Sequence, residues 1–201
     1  DISQADVAHL IELFEHGKTF GSLLQVPESL VVNLAAITQR VEEVIAHGGM
    51  FEQGTARSIM PMLQQAGRLA VKYDAVVTNP PYLGMRAMNS AIRSFAQEHY
   101  PSFKLDTYSL FIARSLNLVE QTGIAALITM HSWMFLHRFE SMRQTLLRDH
   151  TLFTVAHLGA RAFSSLSGEV VQTCAFAISP LSNSNYVPSF VRCVDGEEND
   201  K

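Results

Sequence analysis

Asn79-Pro80-Pro81-Tyr82 is the densest chemical signal in the chain. Asn79 carries a neutral carbonyl acceptor and an amide donor on a short stem. The following proline pushes it toward extended backbone. Pro80 and Pro81 each have a fixed φ and no N–H, so few directions are open to the Pro80 carbonyl. Asn79 Oδ1 and that carbonyl can converge on one exocyclic amino group. Two acceptors holding both N–H bonds draw the nitrogen lone pair out of ring conjugation and make it nucleophilic without a strong base. Tyr82 adds a flat face on which an extruded base can stack. An Asn-Pro pair also opens ordinary turns, so context decides between the two readings.

That context is a strand. The apolar run Tyr73-Asp74-Ala75-Val76-Val77-Thr78 reads as a buried parallel strand ending at the turn. Ligands of open α/β sheets sit beyond the carboxyl ends of such strands. From position 73 onward, strand and helix patterns alternate, which predicts an α/β domain with a mostly parallel sheet. Strands are predicted at 73–78, 123–129, 151–158, 170–178 and 186–194, and helices at 85–98, 106–121 and 138–149. No helix fits between 151–158 and 170–178, so these two should be antiparallel neighbours. Before position 73 the spacing is helical. Val7, Leu10, Ile11 and Phe14 predict a helix at 3–16 with Ser3 as cap. Gly17 and Gly21 mark a loop. Pro27 opens a second helix at its first turn, running through Leu30, Leu34, Ile37, Val41 and Ile45 to Gly48. A third is predicted at 55–71, with Pro61 inside it. The domains are thus a helical segment at 1–72, an α/β domain at 73–194 and a frayed polar tail at 195–201.

Composition narrows the classes. The chain has 201 residues, 47% of them hydrophobic and 17% charged, which argues for a packed core and against disorder. The net charge is −4 and the pI about 6.1, whereas a domain holding duplex DNA alone is usually basic. Cys174 and Cys193 lack metal-ligand spacing and read as reduced core thiols, consistent with the cytoplasm. His131, His137, His150 and His157 have no ligand partners at metal spacing either, so no metal is predicted. No charged-then-apolar leader or membrane-length apolar run appears, so no membrane partner is predicted.

The turn resembles that of the S-adenosylmethionine-dependent amino-methyltransferases, most closely the adenine-N6 DNA methyltransferases. The resemblance continues in order over about 70–180. Lys104-Leu105-Asp106-Thr107-Tyr108-Ser109-Leu110-Phe111 looks like the segment opening the helix after the catalytic turn. Gly123-Ile124-Ala125-Ala126-Leu127-Ile128-Thr129 looks like the next core strand, followed by His131-Ser132-Trp133. His157-Leu158-Gly159, Phe163 and the run from Val171 to Ile178 look like the closing strands. Lys18-Thr19-Phe20-Gly21-Ser22-Leu23-Leu24 is similar to the large methyltransferases of phage-defence systems (the BREX PglX type) and related restriction-modification enzymes.

The resemblance implies a partial Rossmann-like methyltransferase sheet with an antiparallel closing strand at one end. It implies methyl transfer from S-adenosylmethionine to adenine N6 in double-stranded DNA, by in-line displacement dominated by positioning. Asn79, Pro80, Pro81 and Tyr82 would be the catalytic set. Tyr82 and Phe163 would sandwich the flipped base, and Thr107 and Phe111 would pack against the cofactor adenine. A structural role is an equal reading for both Phe111 and Thr107, and helix capping comes first for Asp106. Trp133 reads as a packing residue. Arg86, Arg93 and Lys104 follow the turn and read as solvated helix faces or phosphate contacts.

The fold's cofactor loop, a glycine-rich turn after a first strand, has no counterpart here, since Gly48, Gly49 and Gly54 follow no strand. Asp1 begins after the place of those elements. The chain therefore reads as the catalytic half of a methyltransferase domain, with a raw sheet edge beside 73–78 and no activity alone. Its partners would be DNA, through a longer protein, and defence-system subunits. Two alternatives stay open. One is glutamine-amide methylation in a protein, which uses the same turn chemistry. The other is a non-catalytic module that binds DNA or a partner.

Overall fold

Apolar residues at helical spacing build the first of two compact units, Asp1–Val71; the second is Lys72–Lys201. The computed structural model describes residues 4–160 and 171–194. The first unit contains α1 (Gln4–Phe14), α2 (Gly17–Phe20) running into a 3₁₀ turn at Gly21–Leu23, α3 (Glu28–His47) and α4 (Met50–Ala70). Leu10, Leu30, Leu34, Ile37, Val41, Ala56, Leu63 and Ala66 form its core. The predicted loop around Gly17 and Gly21 is instead helical, and Gly21 takes φ +53° where the two short turns meet. Pro27 caps α3 from outside rather than opening it from within. The next helix starts five residues before the prediction, at Met50, because Glu52 Oε2 accepts the Gly49 N–H at 2.9 Å. Pro61 lies inside α4 without ending it. Ser3 and the tail 195–201 lie outside the described residues.

The second unit runs β1 (Tyr73–Thr78), α5 (Ser90–His99), α6 (Thr107–Leu118), β2 (Val119–Met130), α7 (Glu140–Asp149), β3 (Thr151–Gly159), β4 (Thr173–Ser179) and β5 (Ser189–Arg192). The sheet order is β1-β2-β4-β3-β5. β1 pairs parallel to β2 and β3 parallel to β5, while β4 is antiparallel to both β2 and β3. Four strands therefore share one direction and β4 alone is reversed. Connectivity accounts for the parallel pairs: helices carry the chain from β1 to β2 and from β2 to β3, while β3 and β4 are consecutive strands paired antiparallel. The reversed strand lies inside the sheet, with β3 and β5 beyond it, and not at the rim. β1 pairs with β2 and, among the described residues, with no other strand.

Two element boundaries differ from the periodicity. α5 begins at Ser90 and not at 85, because Asn89 Oδ1 accepts the Ile92 N–H at 2.8 Å and caps it. β2 starts four residues early, at Val119. Its register shifts between Tyr73↔Val119 and Ala75↔Ile124, where Gly123 lies against β1.

One sheet face makes the core. Its rows run Ala125–Ile178–Leu152 and Leu127–Phe176–Val155 across β2, β4 and β3, alongside buried Trp133, Met142 and Leu146. The opposite face carries small or open positions, with Val77 aligned to Ala126, Ala177 and Thr154 and itself 80% exposed. Among the described residues, no single helix is long and apolar enough to cross a membrane.

Candidate active site

The sheet delivers Asn79 immediately after the last residue of β1. Pro80 is buried and Asn79 exposed, so the backbone is anchored while the amide stays accessible. The Tyr82 hydroxyl donates to Asn79 Oδ1 at 3.1 Å and also lies 3.3 Å from the Ile128 carbonyl of β2. Burial, followed by the nearby Cys174, pushes the Tyr82 hydroxyl up to about 12, so it remains a donor at neutral pH. The Asn79 amide oxygen thus faces the Tyr82 hydroxyl, whose one proton it shares with the Ile128 carbonyl. An amide oxygen has two lone pairs, which leaves one for an incoming amino group. The half-buried Tyr82 ring meets Tyr108 edge-on, with centroids 6.1 Å apart.

The exit of the turn is tied to the start of α6. Thr107 Oγ1 donates to the Pro81 carbonyl at 2.6 Å and accepts from the Leu83 N–H at 2.9 Å. Asp106 Oδ1 accepts the same Leu83 N–H at 3.0 Å and the Tyr108 N–H at 3.3 Å. The Thr107 N–H returns to the Leu83 carbonyl at 3.0 Å, and Met85 N–H to the Leu105 carbonyl at 2.9 Å. Segment 83–85 thus pairs with 105–107 instead of starting a helix. Asp106 caps α6 as expected. Its burial raises the carboxyl pKa, against the N–H donors of Tyr108 and Leu83 and the Arg138 charge, which lower it.

Thr107, expected beside the cofactor, is 5% exposed, and its hydroxyl is engaged by the turn. Phe111 lies one helical turn further along α6 and is partly buried. Phe163 lies outside the described residues. Trp133 packs as expected: it is buried, donates to Thr129 Oγ1 at 3.1 Å, and meets Phe176 edge-on at 5.2 Å. Arg93 is no solvated helix face, because its guanidinium donates to the Met88 carbonyl at 3.0 Å.

Sequence reading missed one pair. His131 Nδ1 and His157 Nε2 lie 2.8 Å apart, joining the residue after β2 to β3 beside the Phe135 ring. Burial, then His157, lowers the His131 pKa. The pair is 26 residues apart in sequence, and only the strand order β2-β4-β3 brings it together. No local signal announces it. Cys174 is buried and Cys193 half-buried, and both are free thiols.

A mostly parallel sheet with one reversed strand, bearing an Asn-Pro-Pro-Tyr turn at the carboxyl end of β1, defines a methyltransferase-type α/β domain. Residues 11–163 match the Eco57I restriction-modification methylase family, and the chain belongs to that family. The match includes most of the helical unit, with the Lys18–Leu24 stretch inside it, as well as most of the 70–180 stretch. The chain is 41% identical over 191 residues to the adenine-specific methyltransferase BrxX of Escherichia coli O9:H4 (strain HS), covering 95% of this chain and 16% of that protein. It is 31% identical over 204 residues to the adenine-specific methyltransferase PglX of Lacticaseibacillus casei (strain Zhang), covering 100% of this chain and 17% of that protein. The chain therefore spans about a sixth of the length of the curated relatives it matches. The fold is similar to that of a nuclease-deletion mutant of the Type ISP restriction-modification enzyme LlaGI in complex with a DNA substrate mimic. That similarity has a TM-score of 0.52 at 14% identity, over 72% of this chain and 17% of LlaGI.

Proposed function

We propose that this chain is the catalytic segment of an adenine-N6 DNA methyltransferase acting in phage defence or restriction-modification. The observation that carries the reading is the Asn79 amide. It stands exposed at the carboxyl end of β1, its oxygen oriented by Tyr82 and its backbone anchored through buried Pro80. Asn79 Oδ1 and the Pro80 carbonyl would accept the two amino protons of an extruded adenine. The Tyr82 ring would take one face of the base and Phe163 the other. With both amino protons held, the nitrogen lone pair turns out of the ring plane, toward the methyl donor.

S-adenosylmethionine would supply a sulfonium-bound methyl group. This chain's residues fit that cofactor in part. Phe111, partly buried on α6, suits apolar packing against its adenine. The Thr107 hydroxyl does not suit a polar contact, because Pro81 and Leu83 already engage it. Duplex DNA and defence-system subunits are the proposed partners. Two relatives named as adenine-specific methyltransferases favour adenine over a glutamine amide as acceptor.

The test is Asn79→Ala in the full-length protein. Loss of one preorganised contact to the reacting group should lower methyl transfer by about 10²-fold or more, with little effect on folding because the side chain is exposed. Labelled methyl incorporation within a few-fold of wild type would remove Asn79 from the reaction.

A further inference from the structure

One hydroxyl straddles Tyr82. Thr107 Oγ1 donates to the Pro81 carbonyl at 2.6 Å and accepts from the Leu83 N–H at 2.9 Å. The first group belongs to the peptide plane entering Tyr82 and the second to the plane leaving it. With both planes held, the two backbone dihedrals of Tyr82 are fixed, and with them the direction in which its Cα–Cβ bond leaves the chain. Little else can serve at the first of these contacts. Pro81 has no N–H to pair with a neighbour, so its carbonyl is the only backbone hydrogen-bonding group it offers. Leu83 N–H is shared with Asp106 Oδ1 at 3.0 Å, which leaves the Pro81 side of the clamp to Thr107. Thr107 is suited to hold such a position. It is 5% exposed, it is the first residue of α6, and its own N–H is bonded to the Leu83 carbonyl at 3.0 Å. Its β-branched side chain has few rotamers to lose.

We infer that Thr107 is the positioning residue for Tyr82, its hydroxyl setting the direction of the ring that meets the target base. This rests on reading the turn as the methyl-transfer site. It stands beside the sequence-based expectation that Thr107 packs against the cofactor. A cofactor role and a positioning role leave different kinetic traces. A cofactor contact changes the dissociation constant of S-adenosylmethionine, while a Tyr82-positioning contact changes productive use of DNA at saturating cofactor.

The experiment compares Thr107→Val, which keeps the shape and removes the hydroxyl, with Thr107→Ser, which keeps the hydroxyl. Both are made in the full-length protein. Thr107→Val should lower kcat/KM for DNA at least about tenfold, while S-adenosylmethionine affinity by calorimetry stays within about twofold of wild type. Thr107→Ser should restore kcat/KM to within about threefold of wild type, since the hydroxyl and both its bonds remain available. If Thr107 acts through Tyr82, adding Thr107→Val to Tyr82→Ala should cost at most about twofold more, a non-additivity that general loosening of the fold would not give. Thr107→Ala takes the place of the valine variant should that one fail to fold. The inference is overturned by a Thr107→Val protein with wild-type kcat/KM, by a weakened cofactor affinity that fully accounts for the loss, by failure of serine to rescue, or by additive effects with Tyr82→Ala. Asn79→Ala run in parallel separates the two levels. If it leaves transfer intact, the site reading and the Thr107 role both fall. If it abolishes transfer while Thr107→Val changes nothing, only the Thr107 role falls.

Discussion

Tyr82 carries two separable contributions, its ring and its hydroxyl. In the proposed site the ring would stack on the base, a contact worth about 1–3 kcal/mol by alanine substitution. The hydroxyl orients the Asn79 amide through a 3.1 Å bond. A neutral hydrogen bond contributes about 0.5–1.5 kcal/mol net, so Tyr82→Phe should slow transfer by roughly two- to tenfold and leave the KM for DNA near wild type. Tyr82→Ala should lower transfer further and raise that KM, because the stacking face goes too. Steady-state titration of DNA against each variant checks the order. Equal KM values for the phenylalanine and alanine variants would remove the stacking role. Asn79 and Tyr82 stood out in the tetrapeptide as candidates, because proline restricts its own backbone and that of its predecessor. Their mutual bond was not, because a side-chain contact over three residues depends on the ring's direction, which α6 helps set from 25 residues downstream of Tyr82. Thr107 illustrates the same limit. Its place in a recurring segment suggested a cofactor contact, and only the fold shows its hydroxyl engaged by the turn.

At the scale of elements, the register of β1 on β2 decides where Asn79 stands. That register passes a discontinuity at Gly123, where an added Cβ would lie 2.5 Å from the Asp74 carbonyl oxygen and 2.6 Å from Val119 Cγ1. Backbone on one side and a β-branched neighbour on the other leave no easy relief. Gly123→Ala should therefore destabilise the chain by about 1–3 kcal/mol, the range for overpacking a well-filled site. Urea denaturation of the variant measures this. A change below about 0.5 kcal/mol, ordinary for a surface position, would mean that β1 tolerates a shifted partner. The strands and their directions were largely readable, since alternation and loop length carry that information. Their starts were not: β2 begins before its glycine, and α5 waits for the Asn89 cap. In both places a specific contact overrides the hydrophobic pattern. The interior position of β4 was unreadable for another reason. Its hairpin with β3 is local, but its pairing with β2 joins residues more than 40 apart.

The whole chain is acidic, with a net charge of −4, while the proposed substrate is a polyanion. Phosphate neutralisation supplies most protein–DNA affinity, so this chain alone is poorly equipped to hold a duplex. Relatives about six times its length have room for a basic surface elsewhere. The sheet fits the same picture, with β1 paired on one side among the described residues and Val77 open on the uncovered face. Periodicity made the helical unit legible as helices, while its family showed only in the short Lys18–Leu24 resemblance, which the 11–163 match includes. Leucine and isoleucine at helical spacing build a core in many families, and the 11–163 match rests on the particular residues rather than on their pattern. The most direct test is to identify the atom that gains the methyl group. The full-length protein is incubated with S-adenosylmethionine labelled in its methyl group and with DNA, and the DNA is digested to nucleosides for mass spectrometry. The expected result is label in N6-methyldeoxyadenosine, falling to background with Asn79→Ala. Label confined to a glutamine side chain of a protein, or N6-methyldeoxyadenosine formed equally by the Asn79→Ala variant, would contradict it.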